Sequence, residues 1–171
     1  MKPCYLLPLL LLFVGCSEPK IPLQSVPHVA IQKYLGTWHE IARYEHFFEK
    51  GCVDVTATYA LKENGNIDVL NRCTTQEGEK KEARGEAYAV DTSNSRLKVT
   101  FFWPFYGNYW IIELDDAYEY ALIGEPSREY FWILSRTPAL EPKRLEEILA
   151  RLPQYGYDAK KLIFSPQQKH E

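Results

Sequence analysis

The chain has 171 residues, one domain's worth, with 46% apolar and 25% charged residues, an ordinary globular balance. Net charge is −3 and the charges are scattered, so the electrostatic footprint of a nucleic-acid binder is absent. The aromatic share is high at 14%, with 12 Tyr against a single Met. Its densest patch is FFWPFYGNYW at 101–110, seven rings in ten residues around a Pro and a Gly.

The N-terminus reads as a processing signal. Residues 5–14 (YLLPLLLLFV) follow a basic Lys2 and are too few to span a bilayer. The run ends in Val14-Gly15-Cys16, which resembles a bacterial lipobox. That resemblance implies removal of residues 1–15 and acylation of Cys16, and two or three acyl chains anchor stably where one does not. The alternative is an ordinary secretory signal in which Cys16 is incidental. Ser17 in place of Asp favours the outer membrane, with the protein facing the periplasm. Residues 17–27 (SEPKIPLQSVP) hold three prolines and read as an extended tether, giving a lipidated Cys and tether over 16–27. Its eleven residues reach at most ~36 Å.

A short turn-like helix is expected at 29–35, then a strand at 38–44 and a loop, EHFFEKG. Residues 53–61 (VDVTATYAL) alternate and are rich in β-branched residues, which predicts a strand. KENGN carries an Asn-Gly hairpin signal, and 67–73 (IDVLNRC) is the return strand. Further strands are expected at 83–90, 96–102, 109–114, 120–124 and 130–136, with a loop at Pro104–Gly107. Eight strands at short spacing predict an all-β antiparallel sandwich or barrel. Residues 142–152 (PKRLEEILARL) place Leu145, Ile148, Leu149 and Leu152 on one stripe behind Pro142, a helix lying outside the sheet. Residues 161–165 can add a ninth, edge strand.

Gly36-Thr37-Trp38 resembles the first lipocalin motif, G-x-W. Asp115-Asp116-Ala117-Tyr118 resembles the second, with one residue extra, and Ile133-Leu134-Ser135-Arg136 the third. The order of these motifs, the late helix and the lipobox together make the chain similar to the bacterial outer-membrane lipocalins and to apolipoprotein D, from about 29 to 168. The resemblance implies an eight-stranded up-and-down barrel over residues 28–168, closed at one end, with 169–171 as a tail. It also implies that Arg136 packs on Trp38 as a structural contact, with Gly36 beside Trp38 in the first motif and Asp115 and Tyr118 in the second. Such a barrel is wide enough for one small ligand.

Inward positions are apolar and alternate. Val55, Ala57, Tyr59 and Leu61 form one row, continued by Ile67 and Val69 if Leu61 pairs with Ile67. Leu97, Val99 and Phe101 form another. Tyr88, Tyr109, Trp110, Tyr120 and Trp132 are further candidates, although Tyr109 and its neighbour Trp110 cannot both point inward. Ten residues (Val55, Ala57, Tyr59, Val69, Tyr88, Leu97, Val99, Phe101, Tyr109 and Trp132) are the expected ligand contacts; core packing is the other reading of each. Phe47, Phe48, Trp103, Phe105 and Tyr106 should gather at the open mouth. There they touch membrane lipid, plug the entrance or form a homodimer interface.

Cys52 and Cys73 remain for an oxidising compartment. The Leu61–Ile67 register places Val55 opposite Cys73, so a disulfide needs a bulge near 51–54; two free thiols are the alternative. Glu113 either meets a ligand head group or is solvated. The histidines lack metal spacing and read as surface or strand residues, no catalytic motif occurs, and no cofactor is expected. What the resemblance implies, together with an apolar interior, is a non-enzymatic carrier of a fatty acid or lysophospholipid, for lipid storage, transport or membrane maintenance; this is the leading expectation. A lipid- or pigment-modifying enzyme and a purely structural envelope lipoprotein with a filled barrel are the alternatives.

Overall fold

The computed structural model describes residues 22–165; Cys16, the signal region, the start of the expected tether and the tail lie outside them. After a one-turn helix α1 (Ile31–Tyr34) come eight strands: β1 (Gly36–Tyr44), β2 (Cys52–Leu61), β3 (Ile67–Thr75), β4 (Lys80–Ala89), β5 (Arg96–Phe102), β6 (Phe105–Leu114), β7 (Tyr120–Gly124) and β8 (Phe131–Ser135). Helix α2 (Pro142–Arg151) and a short β9 (Leu162–Phe164) follow. Each strand pairs antiparallel with the next, β8 pairs with β1, and β1 pairs with β2, so the sheet closes on itself. The expected eight-stranded up-and-down barrel is thus observed, and closure removes the exposed sheet edges that an open sheet would present.

Strand β1 divides its pairing. Gly36 to His39 sit opposite Tyr59 to Thr56 of β2, whereas Ala42 to Tyr44 sit opposite Phe164 to Leu162 of β9. A bulge between Glu40 and Ala42 separates the halves. It turns Ile41 and Ala42 together toward the outer cluster, and leaves Glu40 and Arg43 paired with the inward Leu134 and Trp132.

Two apolar clusters follow from strand alternation. The outer one joins Ile41, Ala42, Tyr44, Ile112, Tyr120, Leu122, Phe131 and Ile133 to Ile148 and Leu152, with Leu145 and Leu149 packed against it. The stripe expected on α2 is therefore the face that covers the barrel, and fully burying an Ile or Leu of this kind contributes about 1.5–3 kcal/mol. The inner cluster joins Val29, Tyr34 and Trp38 at the base to Tyr59, Ile67, Val69, Ala87, Leu97, Ile111, Ala121, Ile123 and Leu134.

Two expectations about boundaries change. The Pro104–Gly107 loop is a tight turn at Trp103-Pro104, joined by a cis peptide bond, and β6 already begins at Phe105. Phe102 pairs with Phe105 across that turn, so the sheet ladder takes up residues that composition alone placed in a loop. The described part of the expected tether is docked as well. Leu23 is buried in the outer cluster, Ser25 accepts a hydrogen bond from Ser95, and the Val26 amide donates to the Ile111 carbonyl at 2.9 Å. Prolines kept this segment extended, and its Leu and Val side chains found apolar wall to cover.

Candidate functional site: the barrel interior and its two ends

The base is closed by a cap built on Trp38 and Arg136. Trp38 is fully buried, and its indole N–H donates to the Tyr34 carbonyl at 2.8 Å. The Arg136 guanidinium lies 3.9 Å from the Trp38 ring centroid. It donates to the carbonyls of Thr37 at 3.0 Å, Lys33 at 2.6 Å and Tyr34 at 3.2 Å. One side chain thereby satisfies the C-terminal carbonyls of α1 and stacks on an aromatic face. Gly36 has φ of +92°, which an L side chain rarely adopts, and lets the chain turn from α1 into β1 under this guanidinium. Tyr118 reaches the same cap by accepting from the Ala30 amide at 2.9 Å, while the Asp115 carboxylate accepts from the amides of Ala117 and Glu119 to shape the β6–β7 turn. The three motifs are one structural unit.

Above the cap, the inward faces form the lumen. Ala57, Tyr59, Val69, Leu97, Val99, Phe101, Tyr109 and Trp132 all belong to, or pack against, the inner cluster. Ala57, Val99, Phe101, Tyr109 and Trp132 are only partly buried although they point into a closed barrel, so their accessible surface faces the interior. The Phe101 ring lies over Gly85, where a Cβ would come within 2.9 Å of it and 2.5 Å of the Thr100 carbonyl. Near the base the apolar surface is interrupted by phenols: Tyr109 Oη lies 2.7 Å from Tyr34 Oη and 2.9 Å from Tyr59 Oη. Burial pushes the Tyr59 hydroxyl up to about 12 and those of Tyr34 and Tyr109 well above the ordinary phenol value, so all three stay protonated.

The mouth carries the exposed rings. Phe47 is 86% accessible, Phe102 and Trp103 are each 81%, and Phe105 is 77%. Tyr106 is also exposed and meets Tyr88 edge-on on the outer wall. The Phe48 side chain is outside the described ones. Beside this rim, Cys52 and Cys73 form a disulfide with Cα atoms 5.5 Å apart. The Leu61–Ile67 register is observed, and the bulge it requires is present: Val53 pairs with Thr74 but Thr56 with Arg72. The extra residue is absorbed at Asp54, whose φ is +54°.

A buried charged group ties the first mouth loop to the wall. Arg43 donates to Glu40 at 2.9 Å and to the Glu49 carbonyl at 2.9 Å, and its Nε lies 3.3 Å from the Glu49 carboxylate. It also donates to Ser165, which in turn donates to Glu40, so β9 is held by the same guanidinium. His46 sits 3.5 Å from Glu49 and packs on Trp132. Burial, and then the charge of Glu40, push the Glu49 carboxyl up to about 8; burial raises Glu40 as well, and burial with Arg43 lowers His46 to about 4.

Of the ten residues expected to line the interior, eight are brought together there. Val55 is buried beside the bulge but belongs to neither cluster. Tyr88 is a correction. Its neighbour Ala87 is the inward residue and pairs with Val99, so Tyr88 points out, paired with Lys98. Of the Tyr109–Trp110 pair, Tyr109 faces in and Trp110 packs on the outer cluster. Glu113 meets neither a lumen nor open solvent. It accepts from Arg151 at 2.6 Å, Tyr155 at 2.7 Å and Tyr120 at 2.8 Å, which locks α2 to the barrel. Desolvation pulls its carboxyl up, but those hydrogen bonds outweigh it and hold the group below the usual range. His46 is buried rather than a surface residue, and the Glu40–Arg43–Glu49 group was not anticipated. Its one sequence signal is spacing: charges at 40 and 43 on either side of the apolar Ile41 and Ala42.

A lipocalin-like domain profile matches residues 29–167. Outer membrane lipoprotein Blc of Vibrio cholerae is 42% identical over 171 residues, covering 98% of this chain and 100% of that protein. Blc of Escherichia coli K12 is 42% identical over 91% of this chain and 90% of its own length, and mouse apolipoprotein D 35% identical over 89% and 82%. Among solved structures, insecticyanin from Manduca sexta superposes with a TM-score of 0.70 at 23% identity, over 88% of this chain and 86% of that one, a likeness of fold. Motifs, closed barrel, flanking helix and these relatives agree, and the chain is a member of the lipocalin family.

Proposed function

We propose that this protein is a lipocalin anchored in the outer membrane through acylated Cys16, facing the periplasm, that holds a fatty acid or lysophospholipid in its barrel for lipid storage, transport or membrane maintenance. The observation that carries the reading is the set of inward, partly buried apolar side chains: Ala57, Val99, Phe101, Tyr109 and Trp132 offer accessible apolar surface inside a closed wall. Such surface gains about 25 cal/mol per Å² when an acyl chain covers it. The names of the Blc relatives support the anchoring, and the Gly15-Cys16 junction supplies its chemistry. No catalytic step is part of the reading.

The exposed rings at the mouth extend it. Phe47, Phe102, Trp103 and Phe105 present apolar area where a lipid must enter, and a membrane surface would cover them. The test is to purify the full-length protein with its membrane, extract it and identify the co-purified lipid by mass spectrometry, then titrate the delipidated protein with a fluorescent fatty acid. Stoichiometric acyl lipid and saturable one-to-one binding are expected. A barrel that carries nothing and takes up nothing would leave the structural-lipoprotein reading; turnover of added lysophospholipid would leave the enzymatic one.

A further inference from the structure

The floor of the lumen has a hydrogen-bonding problem that an acyl tail does not solve. Three phenols meet at Tyr109, through contacts of 2.7 Å to Tyr34 and 2.9 Å to Tyr59. Three hydroxyls carry three protons, and two contacts use two of them, so one O–H is left over. One level nearer the mouth on the same face, Asn71 pairs with Ala57 while Val69 pairs with Tyr59. Asn71 Oδ1 is buried without a hydrogen-bond partner among the described residues. Burying an unpaired acceptor costs about 1–3 kcal/mol, so its place against the lumen needs a reason.

We propose that the Tyr34–Tyr59–Tyr109 floor and Asn71 form a polar subsite for a neutral hydroxyl at the leading end of an elongated apolar ligand, such as an ω-hydroxylated acyl chain or a long-chain alcohol. The subsite offers one spare donor, the third phenolic proton, and one spare acceptor, Asn71 Oδ1, which is shielded in this structure and is reached once the Asn71 side chain rotates toward the lumen. A hydroxyl has one of each to match; a carbonyl can only accept, and a methyl terminus does neither. An ionised group is disfavoured there. The cation nearest the floor, Arg136, stacks on Trp38 and donates to four carbonyls, and a carboxylate buried without a cation is strongly penalised. The carboxylate of a hydroxylated fatty acid would therefore stay at the mouth while its hydroxyl seats on the floor.

This inference rests on the barrel being a carrier, and the experiment separates the two. Delipidated protein is titrated with palmitate and with ω-hydroxypalmitate, each competing with a fluorescent fatty acid, in wild type, Tyr109→Phe and Asn71→Leu. Circular dichroism and thermal melts establish that each variant is folded, and Tyr59→Phe replaces any that is not. Wild type should bind ω-hydroxypalmitate about 5–10-fold tighter than palmitate, and each variant should bring that ratio close to one, whatever it does to palmitate affinity itself. Palmitate bound as tightly as the hydroxylated probe, or variants that weaken both equally, would overturn the subsite and leave the carrier standing. Binding of neither probe would overturn both.

Discussion

Arg136 lies 3.9 Å over the Trp38 ring while its guanidinium donates to the carbonyls of Lys33, Tyr34, Thr37 and Tyr118. One residue from the last barrel strand thus closes the base made by the first. Arg136→Ala removes a cation–π contact and leaves four carbonyls in search of water, a loss of about 2–4 kcal/mol. Arg136→Lys should recover less than half, because a point charge cannot span four acceptors and a ring at once. Urea unfolding midpoints measure both; equal stabilities for Lys and Arg at this position would show that charge alone matters.

The Cys52–Cys73 bridge, with 21 residues of sequence separation, closes a loop across the β2–β3 hairpin. Chain-entropy arguments assign a loop of this length about 3 kcal/mol. Reduction, or Cys52→Ser with Cys73→Ser, should lower unfolding stability by that order and loosen the mouth, while the base stays protected. Amide exchange resolves the two regions: protection should fall at Val53 and Thr74 and hold at Trp38.

Glu49 gives a pH dependence with a definite sign. Its folded carboxyl is pushed up to about 8, by burial and then by Glu40, so the folded state binds more protons than the unfolded one between about 4.5 and 8. Its stabilising effect is complete below about 4.5 and is lost as pH rises through 8. His46, lowered to about 4 by burial, acts oppositely between about 4 and 6.5. His46 offsets Glu49 in mild acid, Glu40, raised by burial like Glu49, adds to the fall, and the net is a loss of stability toward pH 8 worth roughly 1–2 kcal/mol. Glu49→Gln should flatten that fall. A stability profile from pH 5 to 9 for both proteins checks it, with slope rather than level as the readout.

The mouth rings should matter to membranes and not to folding. Trp103 and Phe105 are 81% and 77% accessible, so Trp103→Ser with Phe105→Ser should change stability by no more than about 0.5 kcal/mol. Vesicle co-sedimentation of the unlipidated protein should fall about tenfold, since each large ring offers well over 100 Å² to a bilayer. Unchanged vesicle binding together with a shift in sedimentation coefficient would assign the rings to self-association.

Much of this architecture follows from local rules. Alternation in VTATYAL and RLKVTFF, the Asn-Gly turn in KENGN and the stripe on α2 each act within a few residues, so strand number, the Leu61–Ile67 register and the helix were legible in the chain. The three motifs were legible because each sits in a turn or beside one. What only the folded molecule decided depends on partners far apart in sequence. Whether Tyr88 or Ala87 faces inward turned on pairing with β5, and the disulfide turned on a bulge at Asp54 that shifts β2 against β3. Arg43, which also holds Glu49, meets Ser165, and Arg136 meets α1, across more than a hundred residues, and Tyr118 reaches Ala30 across 88. Short-range periodicity specifies which way a strand alternates; only closure of the barrel specifies which side is inside.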